Sequence, residues 1–141
     1  YGEGELSDAA SVLDWLQQYN TNSKTCWVAG FSFGSWVAMQ LLMRRPEING
    51  FVCISPPANI RDFGFLAPCP SSGLIVHGDK DNIASYDSTK ILSEKLQKQK
   101  KVDILFKPIK GADHFYENYK EELSETINTY IKDKLSENSI L

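Results

Sequence analysis

The stretch Trp27-Val28-Ala29-Gly30-Phe31-Ser32-Phe33-Gly34-Ser35-Trp36 constrains this chain more than any other. It reads as an apolar strand, a tight turn and the start of a helix that stays apolar through Met43. At its centre is Gly30-x-Ser32-x-Gly34. A serine held on a sharp strand-to-helix turn has its hydroxyl pushed out of the sheet, within reach of a small molecule. Both glycines are expected for steric reasons, because a Cβ beside such a turn would strike the neighbouring backbone. The N-terminus of the following helix favours negative charge near the serine. The plainer alternative is a glycine-rich turn with a capping serine, a task that Ser35 is equally able to perform.

Around this stretch, apolar runs and helical patterns alternate. A helix is expected from Ser7, as its cap, to about Gln18, with Ala9, Val12, Leu13 and Leu16 inward. Strands follow at about Thr25 to Ala29, Phe51 to Ser55, Gly73 to Gly78 and Val102 to Lys107. Between and after them, helices are expected at about Gly34 to Arg45, Ser85 to Lys98 (Ile91, Leu92 and Leu96 inward) and Glu117 to Leu135. The last carries a stripe of Tyr119, Leu123, Ile127, Tyr130, Ile131 and Leu135. Ala58 to Ser72, with Gly64, Pro68 and Pro70, reads as a loop with one helical turn at most. Continuous apolar strands alternating with helices imply an α/β fold, a mostly parallel sheet covered on both faces. In such sheets ligands bind beyond the carboxyl ends of the strands. Ser32, Asp79, Asp81 and His114 all follow strands and are expected to gather there.

The totals exclude several classes. The chain has 141 residues, enough for one domain with a core, and 42% hydrophobic with 23% charged residues is ordinary globular usage. A net charge of −3 is no footprint for nucleic acid, and no apolar run approaches the roughly 20 residues of a membrane span. The acidic, polar start Tyr-Gly-Glu-Gly-Glu is unlike a signal peptide. Cys26, Cys53 and Cys69 are odd in number and fit neither a disulfide framework nor a zinc site, so reduced thiols and a cytoplasmic location are expected. The first methionine is Met39, which suggests a processed product, a fragment or the ordered part of a longer protein.

A serine hydroxyl needs a base to take its proton, and the base needs a partner that fixes its tautomer. Only His77 and His114 are available. His114 lies in a loop between the last strand and the last helix, where a side chain can reach over the sheet end; His77 ends a strand and is as well suited to brace the adjoining turn. For the acid, Asp79, Asp81 and Asp113 compete. Asp113 adjoins His114 and should point away from it, Asp79 suits the Gly78 turn, and Asp81 preserves the order Ser, Asp, His.

Gly30-Phe31-Ser32-Phe33-Gly34, His77-Gly78-Asp79-Lys80-Asp81-Asn82-Ile83 and Gly111-Ala112-Asp113-His114-Phe115 resemble the three active-site segments of the α/β-hydrolase superfamily, above all its bacterial dienelactone-hydrolase-like and acyl-esterase-like members. That resemblance implies Ser32 as nucleophile, Asp81 as triad acid, His114 as base and the Phe33 backbone N–H as one oxyanion-hole donor. It implies an ester-cleaving serine hydrolase acting on a small-molecule ester, without metal or organic cofactor. Dienelactone hydrolases proper use a cysteine nucleophile, so Ser32 points toward esterase-like chemistry. Haloperoxidase-like and peptidase variants use the same triad, and a non-catalytic binding protein on a truncated hydrolase fold is the rival from another class. The resemblance covers the C-terminal portion of the fold, as one domain over residues 1–141 that is N-terminally incomplete. Upstream strands and the loop with the second oxyanion donor are then missing. The segment Cys26-Trp27-Val28-Ala29 would become a bare edge, to be paired by a missing N-terminal segment or by a second copy in a homo-oligomer.

Overall fold

The computed structural model describes residues 2–139; Tyr1 lies outside them. The elements are α1 (Glu3–Tyr19), β1 (Trp27–Phe31), α2 (Phe33–Arg44), β2 (Gly50–Ile54), a single 3-10 turn (Gly64–Leu66), β3 (Gly73–Gly78), α3 (Tyr86–Gln97), β4 (Ile104–Ile109) and α4 (Lys120–Ser139). The four strands form one parallel sheet in the order β1-β2-β3-β4. This is the expected α/β architecture, and the 3-10 turn is the one helical turn expected in the loop after β2.

Alternation along the strands divides the core in two. Phe51, Cys53, Ile75 and Ile104 face α1, α2 and α3, where Leu13, Met39, Leu42 and Leu96 complete one cluster. Val52, Leu74, Val76 and Ile109 face the other way and pack with Tyr116 and with Tyr130 of α4. A strand buried on both faces reads as a continuous apolar run, as β2 and β3 do.

Helix α1 starts earlier than expected. Its cap is Gly2, whose N–H donates to Glu5 Oε2 at 2.9 Å, and Ser7 lies inside the helix with its carbonyl accepting from Ser11 Oγ. The inward face is Leu6, Ala9, Ala10 and Leu13, while Val12 and Leu16 are exposed. Both stripes have helical spacing, and only the surface of the neighbouring α2 selects between them. In α3, Ile91 likewise points to solvent, whereas Thr89 and Ser93 are buried, Thr89 donating to the Pro56 carbonyl. Helix α4 begins at Lys120 rather than Glu117 because Tyr116 and Asn118 have φ of 55° and 65°, which a right-handed helix excludes. Its stripe buries Tyr130 but leaves Leu135 exposed.

Strands β1 and β4 each run two residues further toward the carboxyl end than expected, Phe31 pairing in register with Ile54 and Ile109 with Gly78. The extension carries Ser32 to the rim of the sheet. Among the described residues, β1 has a strand neighbour on one side only, and its Ala29 and Phe31 are exposed.

Candidate active site

The turn at Ser32 is built by close backbone approach. The Ser32 N–H donates to the Ile54 carbonyl at 2.8 Å and so continues the β1–β2 ladder for one residue. The chain then reverses through φ 54° and ψ −123° at Ser32 into α2. A conformation of that kind costs a side-chain-bearing residue about 1–3 kcal/mol and persists only where its surroundings impose it. Gly30 is what makes room: a Cβ there would lie 2.3 Å from the Gly34 carbonyl oxygen and 2.7 Å from Ser35 Cα. The expected steric reason for Gly34 does not hold among the described residues, since a Cβ there meets nothing within 4 Å. Ser32 occupies the N-cap position of α2, yet its hydroxyl makes no cap bond. Ser35 does not cap through its side chain either; its hydroxyl donates back to the Ser32 carbonyl. Phe33 is the first residue of α2, so its N–H belongs to the group that a helix leaves without an internal acceptor.

His114 stands in the β4–α4 connection, 3% exposed. Its loop is tied down at several points. Asp113 Oδ1 accepts from the Glu117 N–H at 2.9 Å. Tyr116, with its left-handed backbone, sends its hydroxyl to Ser55 Oγ at 2.8 Å and to the Val76 carbonyl at 3.4 Å. Burial pushes the Tyr116 phenol up to about 12, which keeps it a neutral hydrogen-bonding anchor. The rings of Phe31 and Phe115 flank the imidazole with centroids at 5.1 and 5.0 Å. Nε2 of His114 lies 3.0 Å from Ser32 Oγ, and Nδ1 lies 2.7 Å from Asp81 Oδ2. A carboxylate accepts only, so Nδ1 carries the proton and Nε2 offers its lone pair to the serine hydroxyl.

The three candidate acids have three different environments. Asp79 Oδ1 accepts from the Gly111 N–H at 2.7 Å, stitching the β3 turn to the β4 turn. Asp113 closes its own turn. Asp81 meets His114 and has no exposed side-chain surface. Its Oδ1 accepts from the Ile83 and Ala84 N–H groups, each at 2.8 Å, which orients Oδ2 toward the histidine. Gly78 allows the two turns to approach; a Cβ there would lie 2.3 Å from the Ala112 carbonyl oxygen.

His77 is fully buried, its Nε2 2.9 Å from the Ala84 carbonyl and 3.2 Å from Asp81 Oδ2. Burial holds its imidazole below the ordinary histidine range. It braces the adjoining turn, one of the two roles open to it from sequence. Its contact with Asp81 was not anticipated, although the i, i+4 spacing of the two residues was a signal for it. Nor was the stacking of Arg61, whose guanidinium lies 5.1 Å from the Phe33 ring centroid and 4.9 Å from that of Trp36, beside the N-terminus of α2. Among the described residues no group of three His, Cys, Asp or Glu side chains is arranged to hold a metal ion.

Sequence comparison places the chain in a family. Residues 3–137 match the dienelactone hydrolase family. The chain belongs to that family. An uncharacterized protein of Rickettsia prowazekii (strain Madrid E) is 52% identical over 134 residues, which cover 92% of this chain and 56% of the relative. Among solved structures, an α/β hydrolase of unknown function from Agrobacterium tumefaciens superposes with a TM-score of 0.93 at 52% identity, covering 96% of this chain and 62% of that one. A lidless α/β serine hydrolase from Xanthomonas campestris superposes with a TM-score of 0.80 at 26% identity, covering 94% of this chain and 58% of that one. The chain therefore spans somewhat more than half the length of these relatives. Within the dienelactone hydrolase family it carries serine, not cysteine, at the turn after β1. No helix among its described residues is long and apolar enough to cross a membrane.

Proposed function

We propose that this chain carries the catalytic residues of a serine hydrolase that cleaves an ester or related acyl bond. The observation that carries the proposal is the unbroken line from Ser32 Oγ to His114 Nε2 and from His114 Nδ1 to Asp81 Oδ2, at 3.0 and 2.7 Å. His114 takes the Ser32 proton as Oγ attacks the carbonyl carbon. Asp81 holds the imidazole in the correct tautomer and steadies the imidazolium. The tetrahedral oxyanion is met by the Phe33 N–H at the positive end of α2. His114 then returns the proton to the leaving alcohol, an acyl-Ser32 ester remains, and water activated by His114 releases the acid.

The substrate is a small or exposed ester. In support, only the 3-10 turn Gly64–Leu66 lies between β2 and β3, and the Xanthomonas relative is described as lidless. A cytoplasmic location rests on the three free cysteines, two of them buried. The deciding experiment is turnover of p-nitrophenyl acetate and butyrate by the full-length protein and its Ser32→Ala variant. Activity that survives unchanged in the variant overturns the proposal.

A further inference from the structure

Asp81 Oδ2 serves two histidines. His114 Nδ1 lies 2.7 Å from it on one side and His77 Nε2 3.2 Å on the other. The catalytic role proposed above uses only the first. His77 Nε2 also lies 2.9 Å from the Ala84 carbonyl, which can only accept, so Nε2 carries the proton and shares it between Ala84 O and Asp81 Oδ2. The other ring nitrogen, Nδ1, is buried with no hydrogen-bond partner among the described residues. The titratable groups facing the ring are Asp81 from the β3–α3 connection and His114 from the β4–α4 connection. Tyr86 of α3 meets it edge to face at 6.0 Å.

We propose, building on the serine hydrolase assignment, that His77 is a positioning residue: a neutral donor that fixes the Asp81 carboxylate against His114 while leaving its negative charge in place. The geometry explains why a histidine suits this task. A second proton would have to sit on Nδ1, where no acceptor waits, and a charged ring beside Asp81 would cancel the charge that the His114 imidazolium needs. Burial acts in the same direction, holding His77 neutral. The Ala84 carbonyl selects the tautomer, and the Ala84 N–H holds Asp81 Oδ1, so one residue registers both ends of the arrangement.

The test compares His77→Leu, which removes the donor, with His77→Gln, whose amide N–H can reach the same oxygens. In the full-length protein, His77→Leu should lower kcat by about ten- to a hundred-fold with little change in KM, the scale of a misplaced catalytic group. Without the donor, Oδ2 is left to His114 alone and favours its imidazolium. The acidic limb of kcat/KM should therefore move up by about half a pH unit or more. His77→Gln should restore both. A folded His77→Leu protein with wild-type kcat and limb overturns the proposal, as does a folded His77→Gln protein no better than His77→Leu. Histidine 15N NMR provides a readout independent of turnover. In the wild type, His77 should be the neutral Nε2–H tautomer at pH 7, with a midpoint below its ordinary value of 6.5. A His77 midpoint at or above 6.5 overturns the proposal even if His77→Leu fails to fold. An inactive wild type with the expected NMR behaviour would instead fault the hydrolase assignment.

Discussion

Nε2 of His114 lies 3.0 Å from Oγ of Ser32 although 82 residues separate them in the chain. Two parallel strands at different places in the sheet end at the same rim, and each hands one residue to the same point. If that contact activates the hydroxyl, Ser32 should be the one serine that reacts with a fluorophosphonate in the full-length protein. Peptide mass spectrometry locates the adduct. Label elsewhere, or equal labelling of Ser32→Ala protein, would remove Ser32 as the nucleophile.

Asp81 and Asp79 are two residues apart but do different work. Asp81→Asn should lower kcat by about 10⁴, as a wrong imidazole tautomer does in serine proteases. Asp79→Asn keeps an amide oxygen that can accept from the Gly111 N–H and should leave kcat within about ten-fold of wild type, because one such hydrogen bond contributes only about 1 kcal/mol net. Steady-state kinetics on both variants decides the matter, and a reversed order would reassign the acid.

The two glycines that flank Ser32 should separate under mutation. At Gly30 a Cβ would sit 2.3 Å from backbone, so Gly30→Ala must displace the turn and should cost about 1–3 kcal/mol of stability as well as activity. At Gly34 a Cβ meets nothing within 4 Å, and helix propensity favours alanine by about 0.8–1 kcal/mol. Gly34→Ala should therefore be neutral or stabilising within residues 1–141. Urea denaturation of the two variants gives the comparison; equal destabilisation would mean that Gly34 is crowded by chain beyond this segment.

Burial lowers the pKa of His77 below its ordinary value of 6.5. A group neutral in the fold and basic when unfolded makes the unfolded state take up a proton below pH 6.5, so its stabilising contribution is present above that pH and lost as the pH falls. Unfolding free energy should accordingly drop between pH 7 and pH 5. The drop should be smaller in His77→Gln, which has no proton to take up. Urea midpoints at the two pH values test it, and an identical drop in both proteins would show that other groups carry the acid sensitivity.

Strand β1 lies at the edge of the sheet among the described residues. Its outer N–H and C=O groups face no strand among the described residues, and Phe31 beside it is 41% exposed. We propose that a strand from outside residues 1–141, or from a second copy, pairs with it. Expressed alone, residues 1–141 should then associate, seen by light scattering. Their turnover should fall about 10²–10³ below that of the full-length protein if an oxyanion donor is also lost. A monomer as active as the full-length protein would refute both statements.

Local pattern was enough for much of this molecule. The strand–turn–helix around Ser32, the six residues of β3 and the parallel α/β plan were legible because continuous apolar runs, glycines at tight turns and helical spacing each have one cheap structural solution. The order Ser, Asp, His was also visible along the chain. What local pattern left open was every choice between equivalent faces and equivalent neighbours. Leu6 and Leu13 turn inward while Val12 and Leu16 turn out because α2 occupies one side of α1 only. Asp81 rather than Asp79 reaches His114 because two turns from different strands interlock through Gly78 and Gly111. His77 joins the carboxylate through a contact that spacing permitted and only burial imposed. Hydrophobic periodicity is a property of a segment, but the direction of a side chain in a site depends on which other segment fills the space beside it, and that is decided only when the sheet assembles.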